Sequence, residues 1–157
     1  MQILVERPPI WDDIVRVFDV DLLVAKPIFA WGSIIYNPYG HKLGDELIAH
    51  EEMHGIRQTS WSPHVGFQIK QDEPKIQQWW RDYLASPSFR LEEEIPAHRA
   101  EYRQLLRMHG NTRRNRRIYL TQVSKRLRNP LYQYNHLVSF EQAKAWIELD
   151  NTEMKGD

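Results

Sequence analysis

The run His50-Glu51-Glu52-Met53-His54 carries the clearest chemistry in the chain. Histidines at i and i+4 of a helix project from one face about a turn apart, so both imidazoles can reach a single Zn2+. Glu51 lies about 100° round the helix from His50. There it can take a proton from a water that zinc has acidified, the task of a metallohydrolase general base. The spacing is that of an H-E-x-x-H motif. Gln58, one turn after His54 on the same face, is expected to support a ligand or line the site wall.

A catalytic zinc needs a third protein ligand and an open fourth position. The chain has no cysteine, so that ligand must be a carboxylate or one of His41, His64, His98, His109 and His136. No third histidine follows His54 at the spacing of the metzincin pattern. The acidic cluster Glu92-Glu93-Glu94 opens the helix expected two elements later, where a helix-borne Glu ligand should sit, and Glu101 is a further carboxylate on that helix. The cluster has a competing explanation, because acids in a first turn meet the positive end of the helix dipole.

The pair formed by His50-Glu51-Glu52-Met53-His54 and Glu94-Ile95-Pro96-Ala97-His98 resembles the gluzincin type of zinc peptidase, in which a second helix supplies a Glu ligand. Trp79-Trp80-Arg81-Asp82-Tyr83 between the two runs is similar to small zincin-like domains, many of them encoded by phages or prophages. Asn129-Pro130-Leu131-Tyr132 and Val138-Ser139-Phe140-Glu141-Gln142-Ala143 are similar to the C-terminal ends of such phage proteins. The resemblance implies His50, His54 and Glu94 as zinc ligands, Glu51 as the base and a peptide or protein as substrate. His98 stands where some of these families place an Asp that orients a ligand histidine. It would serve instead as a donor to a developing oxyanion, with orientation left to Glu101, Glu93 or a backbone carbonyl.

These residues need elements to hold them. Ile3 to Val5 reads as a short strand, Trp11 to Phe18 as a short amphipathic helix, and Phe29 to Tyr36 as one aromatic, β-branched strand turned by Asn37-Pro38-Tyr39-Gly40. That strand could form a substrate-binding edge. Gly44 to Thr59 reads as the active-site helix, with Leu47, Ile48 and Ile56 as its apolar positions. Ser60 to Gly66 reads as a loop, and Pro74 to Ala85 as a helix with Trp79, Trp80 and Tyr83 in its core face. Ser86-Pro87-Ser88 is a break, and Glu92 to Met108 is the next helix, with Pro96 in its first turn or at a kink. Asn111 to Leu127 is a basic helix, with Ile118, Leu120 or Thr121, Val123 and Leu127 apolar. Ser139 with Gln142 forms a capping box that opens a last helix to Leu149. The result is an α+β, zincin-like fold, mostly helical with a small N-terminal sheet: one domain over 1–150 and a frayed tail over 151–157.

With 41% apolar and 27% charged residues in 157, the chain is an ordinary globular protein rather than a disordered one. No apolar run approaches the ~20 residues of a membrane span, and Met1 to Pro9 lacks the apolar stretch of a signal peptide. A cytoplasmic protein is expected, in the host cytoplasm or a virion if a phage encodes it. The zero net charge hides a split. From Tyr102 to Phe140 there are nine basic residues and no acid, which leaves 12 basic against 21 acidic elsewhere, a net of −9. Arg113, Arg114, Arg116 and Arg117 crowd this segment, and the alternative reading follows from them. A non-catalytic, phage-type structural or binding protein could use residues 103–128 to hold nucleic acid or an acidic protein.

Overall fold

Short β-branched and aromatic runs near the N-terminus form a small sheet, and helices carry the rest. The computed structural model describes residues 1–18, 22–59 and 71–149, and of residues 22 and 23 only the backbone. The loop expected over 60–66, with His64, and the tail over 151–157 lie outside the described residues. The order is β1 (Gln2–Leu4), α1 (Trp11–Phe18), a single turn α2 (Leu22–Ala25), β2 (Phe29–Trp31), β3 (Ile34–Tyr36), α3 (Asp45–Thr59), α4 (Glu73–Ala85), α5 (Pro87–His109), α6 (Arg113–Leu127) and α7 (Phe140–Glu148), with 3-10 turns at Pro130–Tyr132 and Asn135–Leu137 between the last two. The fold is α+β and mostly helical. Among the described residues no helix is long and apolar enough to cross a membrane.

The run from Phe29 to Tyr36 is a hairpin rather than one strand. Trp31 lies opposite Ile34, so Gly32-Ser33 is a two-residue turn. Gly32 takes a φ of 60°, the conformation a tight hairpin demands of its first turn residue and one that glycine adopts without strain. A Cβ there would also collide with Gln71 and Ile76. β1 pairs parallel to β3, giving the order β1-β3-β2 and leaving β2 at an edge. The expected turn at Asn37–Gly40 follows, closed by Gly40 N–H to the Asn37 carbonyl at 3.0 Å.

The helix that carries the acidic cluster starts five residues earlier than expected. Ser86 ends α4, its N–H donating to the Asp82 carbonyl, and it also caps α5, its hydroxyl accepting from Phe89 N–H at 3.2 Å. Pro87 then occupies the first helical position, which needs no N–H. Glu92, Glu93 and Glu94 therefore sit in the second turn of α5, whose first turn contains no acid, and the helix dipole does not account for them. Pro96 lies inside the helix. The Glu92 carbonyl, whose donor Pro96 removes, belongs to an exposed residue that water can reach. At α7 the capping box forms as expected, with Gln142 N–H to Ser139 Oγ at 3.1 Å and Ser139 N–H to Gln142 Oε1 at 2.9 Å.

Two apolar clusters flank a polar seam. One is built by α5, α6 and α7 around Tyr102, Leu106, Val123, Leu127 and Ile147. The other joins α1, β2 and α4 through Ile14, Phe29, Ile76, Trp79 and Trp80. Between them α3 packs along α5, the most extensive pairing of elements in the fold. The residues α3 buries are His50, Glu51, His54, Gly55, Gln58 and Thr59, while Leu47, Ile48 and Ile56 are only half-buried. In α6, Ile118 is exposed and Val123, Ser124 and Leu127 face inward.

A buried arginine locks this arrangement. Arg90 is 1% exposed and donates to the Tyr83 carbonyl at 2.9 Å, the Leu84 carbonyl at 3.2 Å and the Tyr132 carbonyl. Two of these acceptors end α4, where the helix dipole is negative and favours a cation. The guanidinium also lies 4.9 Å from the Phe18 ring centroid. It thus ties the α4–α5 corner to the turn carrying Leu131 and Tyr132. Arg90→Met strands three carbonyls and is expected to lower stability by about 2–4 kcal/mol in urea unfolding. A loss below ~1 kcal/mol would show that the carbonyls find other donors.

Candidate metal centre

The α3–α5 seam brings three donor groups to one point. His50 Nε2 and His54 Nε2 are 3.2 Å apart. Glu94 completes a triangle, with Oε2 3.3 Å from His50 Nε2 and Oε1 3.3 Å from His54 Nε2. All three residues are at most 5% exposed. Two ligands of a tetrahedral ion with bonds of about 2.0–2.1 Å lie about 3.3 Å from each other, the separation found between the two imidazoles and between each imidazole and one of the two Glu94 oxygens. The i, i+4 spacing on α3 sets one edge, and the register of α5 against α3 sets the other two.

Further residues hold the triangle. Glu101 lies two turns after Glu94 on the same face of α5, and its Oε2 is 3.3 Å from His50 Nδ1. A carboxylate there fixes the proton on Nδ1, so that Nε2 is the nitrogen that can offer a lone pair to a metal. Glu101 is itself gripped by Arg126 of α6, Nη1 to Oε1 at 2.7 Å. The Tyr83 hydroxyl donates to Glu94 Oε1 at 2.5 Å. Burial alone would raise the Glu94 pKa, yet His54 and His50 hold it well below the carboxylate range. Burial would likewise lower His50, but hydrogen bonding to Glu101 and Glu94 raises it to about 10. With no cation in the triangle, the pocket therefore keeps a proton on His50.

Glu51 is buried on the adjacent face of α3 and, with His50, His54 and Glu94, lines a cavity of about 250 Å³. Burial pushes its carboxyl up, and His50 and His54 offset part of the rise. Its neighbours in the acidic cluster and on α5 point elsewhere. Glu92 is exposed. Glu93 takes a two-pronged ion pair from Arg57, both contacts 2.7 Å, and a hydrogen bond from Trp79 Nε1 at 2.9 Å. His98 packs behind the triangle, its ring 4.5 Å from that of His50, and is absent from the cavity wall. Its Nδ1 donates to the Glu94 carbonyl at 2.8 Å, and burial with the neighbouring His50 drives its pKa down to about 4. An oxyanion donor must face the cavity, so His98 is placed to support α5 instead. His50, His98 and Glu101 form a second ligand-like group, but there His50 Nδ1 and Glu101 already engage each other and Arg126.

The strand edge is closed. Gln58 Nε2 donates to the Ala30 carbonyl at 2.9 Å and Gln58 Oε1 accepts from Gly32 N–H at 2.7 Å. Its carboxamide thus stands in for the peptide group of a neighbouring strand. Trp80 Nε1 adds a second bond to the Ala30 carbonyl at 3.1 Å, and the Ala30 amide favours the ionised form of Glu51. An extended peptide cannot pair with β2 at Ala30 as the sequence suggested.

From the sequence, Tyr83 reads as core and Arg126 as part of a general basic run. Arg126, Tyr132 and the loop residue His41 all line the cavity. For Arg126, a position three after Val123 and one before Leu127 was the available signal. Arg113, Arg114 and Arg117 are exposed, while Arg116 turns back to Asn111 through Nη1 at 2.9–3.0 Å.

The chain matches no family model, no curated protein and no solved structure.

Zinc titration is expected to give one site per chain, lost in His50→Ala and Glu94→Ala and retained in Glu92→Ala. Glu101→Gln should weaken zinc binding about 10–100-fold. Binding needs His50 unprotonated, and its pKa in the metal-free chain is about 10. Zinc uptake at neutral pH should therefore release a proton, and apparent affinity should rise with pH until it passes that value. Calorimetry in buffers of different ionisation enthalpy measures the release.

Proposed function

We propose that the chain is a zinc-dependent hydrolase of the peptidase type, cleaving an amide bond in the cavity beside His50, His54 and Glu94. The observation that carries this reading is the donor triangle with edges of 3.2 and 3.3 Å, bordered by a buried carboxylate on the next residue of the same helix. A zinc ion held there would supply Lewis acidity and make water nucleophilic near neutral pH.

The chain's own residues do the rest. Glu51 takes a proton as the water oxygen bonds to the amide carbonyl carbon. It then gives the proton to the departing nitrogen as the C–N bond breaks, leaving a carboxylate and an amine. Burial has already moved Glu51 up from the ordinary carboxylate range, which brings a general base closer to its working pH. Tyr83 and Glu101 hold Glu94 and His50 so that neither ligand has to reorient. Phe29, Trp79 and Trp80 wall the cavity and limit water. The gluzincin resemblance of the sequence agrees with this assignment, and the closed edge at Ala30 restricts the substrate to a chain end or a compact amide.

Zinc-reconstituted protein is expected to hydrolyse members of an N-acyl dipeptide library. Glu51→Gln should keep stoichiometric zinc and lose at least about 100-fold in rate. Failure of the wild-type chain to take up zinc would overturn the reading.

A second reading rests on Arg113, Arg114 and Arg117, which are exposed and make no ion pair among the described residues. They lie in the first turns of α6, where the helix dipole disfavours cations. Such a cluster fits an anionic partner such as nucleic acid or an acidic protein. Duplex DNA binding that weakens steeply with salt and disappears in the Arg113→Glu/Arg114→Glu/Arg117→Glu variant would support it.

A further inference from the structure

The site described above contains a cation that zinc coordination does not require. Arg126 reaches the cavity wall from α6. One end of its guanidinium, Nη1, is spent on Glu101 at 2.7 Å. The side chain is nonetheless 41% exposed, and among the described residues the guanidinium has no other hydrogen bond or ion pair. A planar group with five N–H donors, fixed at one end by a buried carboxylate, is an oriented fork with donors to spare. Holding Glu101 alone would leave those donors without a use.

The surroundings say what such a fork could hold. Lys26 is exposed and lines the same cavity, adding a second cation. Glu94 already faces His50 and His54, and Glu101 faces His50 and Arg126, so neither carboxylate turns an unopposed charge on an incoming anion. Phe18, Phe29, Leu47, Trp80 and Leu131 give the rest of the wall an apolar stretch, with His41, Gln58 and Asn129 also lining it. At about 250 Å³ the cavity falls below the ~300–1,000 Å³ usual for drug-sized ligands. The Gln58 carboxamide and Trp80 indole close the route by which a long peptide could add along β2. One carboxylate, one apolar side chain and one amide bond describe a ligand of the right size and charge.

We infer that Arg126 anchors the free α-carboxylate of the substrate, which is an amide whose amine side ends in that carboxylate: an N-acyl amino acid or the C-terminal residue of a short peptide. This rests on the hydrolase reading for the reaction but not for the binding. Arg126 sits one carboxylate and one imidazole away from the metal position, through Glu101 and His50. Arg126 lines the same cavity as His50, His54 and Glu94, so a ligand held by the guanidinium shares that space with the triangle. The apolar wall receives the terminal side chain.

The test uses the full chain, both stripped of metal and zinc-reconstituted, with N-acetyl-L-phenylalanine and N-acetyl-L-phenylalaninamide as probes. Calorimetric titration of the metal-free chain should show the acid binding at least about tenfold more tightly than the amide, the value of one charge-assisted contact. Arg126→Gln should bring the ratio to about one, while Arg126→Lys keeps part of it. Because Arg126→Gln leaves Glu101 with His50 as its one ion-pair partner among the described residues, the Glu101→Gln/Arg126→Gln double variant serves if the single variant does not fold, with the same ratio of one expected. Equal binding of acid and amide, no binding of either, or a preference that survives loss of the guanidinium would overturn the anchor. Zinc stoichiometry on the same samples reports separately on the hydrolase reading. An acid preference without zinc uptake would leave the anchor standing and remove the reaction.

Discussion

The fold is organised by a cluster of buried charged groups. Where α3 meets α5, the two helices bury imidazoles and carboxylates instead of leucines, and each charge has to be answered by another nearby. Glu94 can stay ionised because His50 and His54 face it. Glu101 can stay ionised because His50 lies on one side and Arg126 on the other. The apolar clusters on either side of the seam supply the burial that pays for this arrangement. They also fix the azimuth of each helix, so the triangle inherits its shape from the packing around it.

Much of this order can be read from the sequence, and the failures have physical causes. The motif at His50–His54 lies on a helix whose bounds were nearly right, because Asp45 and Glu46 mark its start. Glu101 could be reached by counting seven from Glu94, since that spacing returns to the same face. The start of α5 is hidden because Ser86-Pro87-Ser88 reads as a stop. A serine followed by proline is also the signature of a helix beginning, and here one residue does both. The Phe29–Tyr36 run reads as one strand by its aromatic and β-branched residues, although Gly32-Ser33 between two such triplets is a two-residue hairpin signal.

Other parts were not legible because they depend on contacts between distant segments. Nothing local to Tyr83 says that its hydroxyl meets Glu94, and nothing local to Arg126 says that it holds Glu101. The strand edge is the clearest case. An aromatic edge strand beside an H-E-x-x-H helix suggests a docking rail for peptides, but Gln58 fills that position with a side-chain amide. The same residue type would be unremarkable anywhere else on α3.

The single residue between α4 and α5 has a consequence for how this chain can change over time. Ser86 sets the phase of a 23-residue helix relative to the helix before it, and Tyr83 reaches Glu94 across that corner. One residue gained or lost there would turn the inward face of α5 by about 100°, swinging Glu94 and Glu101 out of line with α3 together. Lengthening is therefore barred at this joint, while substitutions that keep the cap are open to it. The corner acts as a ruler, and descendants of this chain that keep the triangle must keep its length.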